Sequence, residues 1–253
     1  MKKVDFQSDS LVSWARGISK LREDCVKNCQ PYSITSDGAP LAIGQISSIC
    51  CLKEFFRRYG AELTIDSSTP INCTKIYEPE IELQGEQIKK TLVGKYKPGK
   101  DYSAVALALT EALYNVKDHS RYNGNAFYNI RVNAECNNIE ISVCDFGEGI
   151  PATIRKQHPS FNDNLALSKA FEDRFSTHTS EHNAGMGLSN IKSVCMTENG
   201  YLEIISNSSR LIIQNSATEV ERLDFDFKGT LLYLKIDLGA LPDEDDIIND
   251  FNW

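Results

Sequence analysis

Apolar residues recur at every third or fourth position across residues 10–28, SLVSWARGISKLREDCVKN, and place Leu11, Trp14, Ala15, Ile18, Leu21 and Cys25 on one face of a predicted helix capped by Ser10. A short extended piece follows around Pro31 to Thr35. Residues 41–59 repeat the helical spacing through Ile43, Ile46, Ile49, Cys50 and Phe56, then close on Arg57, Arg58 and Gly60 as helix C-termini do. Ala61 to Ile65 predicts a strand. Asp66 to Gly85, rich in Ser, Thr, Pro and Asn, predicts connecting structure and a boundary near residue 85.

Past that boundary a helix over Tyr102 to His119 would bury Val105, Ala108, Leu109, Ala112, Leu113 and Val116. From Ala126 the period changes to two: Tyr128, Ile130, Val132, Ala134 and Cys136 alternate with polar residues, Asn137 and Asn138 predict a tight turn, and Ile139, Ile141 and Val143 return as a second strand. A short segment starts at Pro151, and helices are expected over 164–172 and from Leu188. Tyr201 to Ser206 and Arg210 to Gln214 predict a hairpin around Asn207 to Ser209, with Leu231 to Leu238 as a closing strand. The pattern divides the chain into a small α/β unit over 1–85, an α/β domain over 86–240 and an acidic tail over 241–253.

Composition narrows the class. The 253 residues carry 27 Lys and Arg against 35 Asp and Glu, a net charge of -8, which argues against a broad phosphate-backbone footprint. No apolar run approaches membrane-spanning length, and the two lysines of the opening MKKVDFQSDS are not followed by an apolar segment, so a cytosolic protein with no membrane or nucleic-acid partner is expected. Of the eight cysteines, Cys50, Cys51, Cys136, Cys144 and Cys195 fall in apolar periodic segments, as buried thiols do, and Cys25 and Cys29 have no partners spaced to complete a zinc site. Gly94, Gly99 and Lys100 imitate a phosphate-binding P-loop, but Asp101 stands where that loop needs a hydroxyl and Pro98 removes a backbone donor. A lysine-rich turn before a helix is expected there.

Three stretches carry candidate chemistry. In DFGEGI, residues 145–150, Asp145 emerges at a strand tip, and Gly147 and Gly149 allow positive φ and close approach of a ligand; the segment is either an ordinary turn or a site whose carboxylate accepts from an exocyclic amine. Glu111, Asn115 and His119, spaced by four, share one helical face. That face is either solvated, or it offers the Asn115 amide oxygen to magnesium while Glu111 polarises a water. Ala184 to Leu188 forms a glycine loop feeding a helix N-terminus, an arrangement suited to phosphate.

In order along the chain, EALYNVKDHS, DFGEGI, AGMGLSNIK and FKGT resemble the N box, the two glycine boxes and the terminal Gly-Thr of the GHKL ATP-binding family, shared by gyrase, the large heat-shock chaperone, histidine kinases and mismatch-repair ATPases. The resemblance spans about residues 95–238. It implies the two-layer α/β sandwich of the Bergerat type, ATP with Mg2+, and a role for each matching residue. Glu111 would orient the attacking water and Asn115 would bind the magnesium. Asp145 would accept from the adenine amino group, with Gly147, Gly149 and Ile150 shaping the pocket. Gly185, Gly187 and Leu188 would hold the triphosphate under a lid of about residues 176–187, and Thr230 would contact the adenine side. No histidine precedes His119, and about fifteen residues follow the last strand, so the chain is similar to small stand-alone members such as the anti-sigma serine kinases. Residues 35–66 resemble a STAS-like regulatory module. The expected function is magnesium-dependent ATP hydrolysis or γ-phosphate transfer to a protein partner, with a nucleotide-gated interaction switch as the alternative. The implied partners are ATP or ADP, a protein partner or phosphoacceptor, and a second copy of the chain.

Overall fold

A computed structural model describes residues 2–5, 10–35, 40–76, 80–95, 99–119, 125–133, 135–172, 175 and 187–243. Its first third alternates strand and helix: β1 (Lys2–Asp5), α1 (Leu11–Asn28), β2 (Tyr32–Thr35), α2 (Ile43–Arg58) and β3 (Leu63–Asp66). The three strands form a parallel sheet in the order β1-β2-β3, as crossover helices require. Ser10 caps α1 by accepting from the Ser13 N–H at 3.2 Å, and Cys29 ends it in the left-handed conformation.

A five-stranded antiparallel sheet, β4-β5-β6-β8-β7, occupies the remainder. Its strands are β4 (Thr74–Lys75), β5 (Ala126–Asn133), β6 (Asn138–Asp145), β7 (Tyr201–Gln214) and β8 (Ala217–Asp237). One face carries α3 (Ile81–Lys95), α4 (Ser103–His119), α5 (Ile150–Arg155), α6 (Asp163–Lys169) and α7 (Gly187–Thr197), meeting the sheet in a core that includes Leu109, Leu113, Ile139, Ile141, Ile191 and Ile204. This is the two-layer α/β sandwich expected from the sequence. The opposite face is covered in part by α1 and α2, whose Trp14, Ile49 and Leu52 join Tyr32 of the parallel sheet to Cys144 and Leu231 of the antiparallel one. Four layers result: parallel sheet, helix pair, antiparallel sheet, helices. Hydrogen bonds from the Trp14 indole to Ser48 Oγ (2.7 Å) and between the Ser47 and Ser142 hydroxyls (2.5 Å) satisfy polar groups buried at the inner seams.

Three expectations are corrected. The segment 66–85 contains β4 and the start of α3, so its polar composition hides two elements; Ile76 and Ile81 are the buried residues that fix them. Asn207 to Ser209 is not a hairpin turn. β7 runs unbroken through it, with shifted register at Asn207, whose φ of 49° marks a bulge, and the chain reverses instead at Asn215 and Ser216, both at positive φ. Cys136 is exposed, because β5 ends at Asn133, whose Oδ1 accepts from the Cys136 N–H at 3.1 Å to form the turn. All eight cysteines are free thiols. The P-loop imitation serves packing: Lys100 Nζ donates to the Leu241 carbonyl (2.9 Å) and pairs with Asp243 (2.8 Å), holding the chain beyond β8 against the start of α4. Among the described residues no helix is long and apolar enough to cross a membrane.

Candidate functional site

The antiparallel pairing of β6 with β8 sets Asp145, the last residue of β6, directly opposite Thr230 within β8. Asp145 is 4% exposed. Burial pushes its carboxyl up to about 6, against hydrogen bonds from the Gly147 N–H and from Thr230 and the positive charge of Arg22, which all favour ionisation. The Gly147 N–H donates to Asp145 Oδ1 at 2.7 Å. These donors are arranged for a carboxylate, and they leave acceptor capacity for a ligand.

The backbone after Asp145 turns on glycine for steric reasons. Gly149, not Gly147, holds the positive φ, at 87°. A Cβ at Gly149 would sit 2.7 Å from Asn207 Oδ1, 2.8 Å from Ser206 Oγ and 2.9 Å from the Gly229 carbonyl. Those groups build the turn: Ser206 Oγ accepts from the Ile150 N–H (3.0 Å) and donates to the Gly229 carbonyl (2.8 Å), and Asn207 accepts from the Ala152 N–H (3.0 Å) while donating to the Glu148 carbonyl (3.0 Å). Gly229, at φ 123°, lies so close to Asp145 that a Cβ would collide with the Asp145 carbonyl oxygen.

α4 brings the second group. Asn115 Nδ2 donates to the Glu111 carbonyl one turn back (2.8 Å), so the amide's other atom, Oδ1, is the one available to the cavity that Asn115 lines. One oxygen of Glu111, Oε1, accepts from Asn190 Nδ2 of α7 at 3.0 Å. The other, Oε2, is buried with no hydrogen-bond partner among the described residues. It faces Gly187, where a Cβ would come within 3.0 Å of it. A carboxylate oxygen is thus held, unpartnered, against the backbone that opens α7.

Asn115, Asp145, Ile150, Leu188 and Thr230 line one cavity, closed on its apolar side by Ala112, Val116, Val143 and Leu232. Glu111, Gly149 and Gly187 flank it, and Gly147 lies behind Asp145. Gly185 and the lid expected over 176–187, apart from Gly187 itself, lie outside the described residues, as does the side chain of His119. Four participants were not singled out from sequence. Ser206 falls at the end of an expected strand and Asn207 in the turn expected after it, Asn190 sits unremarked within the AGMGLSNIK motif, and Arg22, more than a hundred residues before Asp145, carries no sequence signal.

The cavity is narrow, apolar-walled and holds one buried carboxylate, with an amide oxygen on its lining and the Glu111 carboxylate and the start of α7 beside it. That set fits a flat base bearing an amine at one end and a metal-chelated polyphosphate at the other. Compared with known protein families, residues 100–238 match the histidine kinase-, DNA gyrase B-, and HSP90-like ATPases. No curated protein matches the chain.

Proposed function

The chain belongs to the family of histidine kinase-, DNA gyrase B-, and HSP90-like ATPases, whose ATP-binding domain it carries over residues 100–238, and on that premise we propose that it turns over ATP with magnesium, by hydrolysis or by passing the γ-phosphate to a protein partner. Asp145 accepts from the adenine amino group, beside Thr230, and Ile150 and Leu188 wall the base. Gly185 and Gly187 would bind the triphosphate. Asn115 Oδ1 is the atom that would hold magnesium, which when bound neutralises phosphate charge. Glu111 orients the attacking oxygen and takes its proton. The observation that carries this reading is the Glu111 carboxylate, pinned through Oε1 by Asn190 and left with Oε2 unpartnered beside Gly187. A base fixed by one oxygen and free at the other is placed to receive a proton.

Glu111→Gln keeps the shape and removes the base. We expect its turnover of γ-labelled ATP to fall by roughly 10²-fold or more, as loss of a general base does, while calorimetry still records ADP binding. Label recovered on a protein when cell extract is present identifies transfer; free phosphate alone identifies hydrolysis. Unchanged turnover would remove Glu111 from this role.

A second reading, a nucleotide-gated interaction module built on residues 1–85, is favoured by one observation: α2 rests on the strand that ends at Asp145, with Cys51 Sγ donating to the Cys144 carbonyl at 3.0 Å. Occupancy at Asp145 can then reach the outer layers and bias a partner surface. This reading requires nucleotide to change partner affinity in Glu111→Gln protein as well; equal affinity with and without nucleotide rejects it.

A further inference from the structure

Arg22 belongs to α1, in the layer beneath the antiparallel sheet, yet its guanidinium lies 3.8 Å over the ring of Phe146, the residue after Asp145. Phe55 of α2 flanks it at 5.1 Å. Its Nη1 donates to the Lys228 carbonyl, next to the Gly229 that abuts Asp145 and two residues before the Thr230 that pairs with it. A cation packed against an edge-to-face pair of rings and hydrogen-bonded to a backbone carbonyl is firmly located. It therefore ties together the end of β6, which presents Asp145, and the bulged stretch of β8, which presents Thr230.

From this geometry we propose that Arg22 is a positioning residue for adenine recognition: reaching up from α1, it fixes the end of β6 that presents Asp145 against the stretch of β8 that presents Thr230, and places a positive charge behind that end of the cavity. The proposal rests on the nucleotide reading given above. The charged and titratable groups facing this spot are few. Arg22 comes from α1, Cys51 from α2 and Cys144 from β6, with Asp226 of β8 facing Arg22. Burial pushes the Cys51 thiol well above its ordinary range, and among the described residues Arg22 is the cation acting on Asp145. Burial also disfavours charge on Arg22 itself, and the neighbouring acids oppose this. Two strained charges stabilise one another where either alone would be costly.

The test is calorimetric titration of the full chain with Mg-ADP between pH 5 and 8.5, comparing parent, Arg22→Gln and Arg22→Lys. Glutamine can still donate to the Lys228 carbonyl but carries no charge; lysine keeps the charge without the planar fork. Titration of the nucleotide's own phosphate is common to all three proteins and cancels in the comparison. Without the cation Asp145 protonates at higher pH. The affinity midpoint of Arg22→Gln should then rise by about one pH unit, with a loss of roughly fivefold at pH 6 that shrinks towards pH 8.5. Arg22→Lys should keep the parent midpoint. Mg-IDP, which carries a carbonyl where adenine has the exocyclic amine, should lose no affinity on Arg22→Gln at pH 6, since a protonated Asp145 can donate to that carbonyl.

A uniform loss at every pH, or an equal loss for IDP, would reduce Arg22 to a structural residue and overturn the proposal. Should Arg22→Gln not fold, a shifted midpoint in Arg22→Lys would overturn it just as well. A parent that binds no nucleotide at any pH defeats the underlying functional reading; a parent that binds, with a coincident Arg22→Gln profile, defeats only the role of Arg22.

Discussion

Gly229 and Gly60 both hold positive φ, at 123° and 69°, but for different reasons, and substitution separates them. A Cβ at Gly60 meets nothing within 4 Å, so Gly60→Ala carries only the cost of its backbone conformation, about 1 kcal/mol. At Gly229 the same atom would enter the Asp145 backbone, and neither strand can yield without moving the carboxylate. Gly229→Ala should cost on the order of 3 kcal/mol in urea denaturation, by strain and overpacking together, and nucleotide binding should be lost with it. Similar costs for the two variants would refute the close approach. Motif spacing exposed Gly149, Gly187, Asp145 and Glu111, because each belongs to a short local pattern. It could not expose Ser206, Asn207 or Asn190, whose partners are 56, 55 and 79 residues distant in the chain. A group acting across the fold leaves no local periodicity.

At the scale of elements, helices and paired strands were legible wherever one face is apolar, and α1, α4 and β6 appear within a residue or two of their sequence limits. The failure at β7 is instructive. The run Asn207-Ser208-Ser209 has turn composition, but its asparagine spends its side chain on Ala152 and Glu148 and takes left-handed φ to do so. Asn207→Ala should lose these bonds and the longer one to Asp226, and keep the strained φ, costing about 2 kcal/mol. Asn207→Gly should recover roughly half of that, having lost the bonds but not the conformational fit. Equal losses in the two variants would mean that φ contributes nothing. The true turn, Asn215-Ser216, has φ of 50° and 63° and lacks the glycine that such a two-residue hairpin favours at its second position. Ser216→Gly should therefore stabilise the protein by about 0.5 kcal/mol, read as a raised urea midpoint at unchanged slope.

At the scale of the whole molecule, layering decides the chemistry of Asp145. Were the antiparallel sheet open on its second face, water would reach the strand ends; instead α1, α2 and the parallel sheet close that side, and Phe146, Phe227 and Phe55 pack edge to face beneath the carboxylate. The sequence marks Asp145 as a site residue but not as a buried one, since burial here comes from the pairing of two halves that no local pattern connects. Burial raises the folded carboxyl to about 6 from an ordinary 3.8. A folded pKa above the unfolded one means that the native state binds more protons between those values, so stability falls as pH rises from about 4 to 6 and stays lowered above that. The ionised form is disfavoured on the order of 3 kcal/mol, with the attraction of Arg22 already included. Asp145→Asn removes the charge and can still accept from the Gly147 N–H. We expect it to be more stable than the parent by roughly 3 kcal/mol at pH 7.5 and by only about 1 kcal/mol at pH 4.5, while binding of Mg-ADP disappears. Urea midpoints at the two pH values decide the matter: a gain of the same size at both, or a loss at pH 7.5, would mean that Asp145 is not a carboxylate held ionised at an energetic cost for the sake of its ligand.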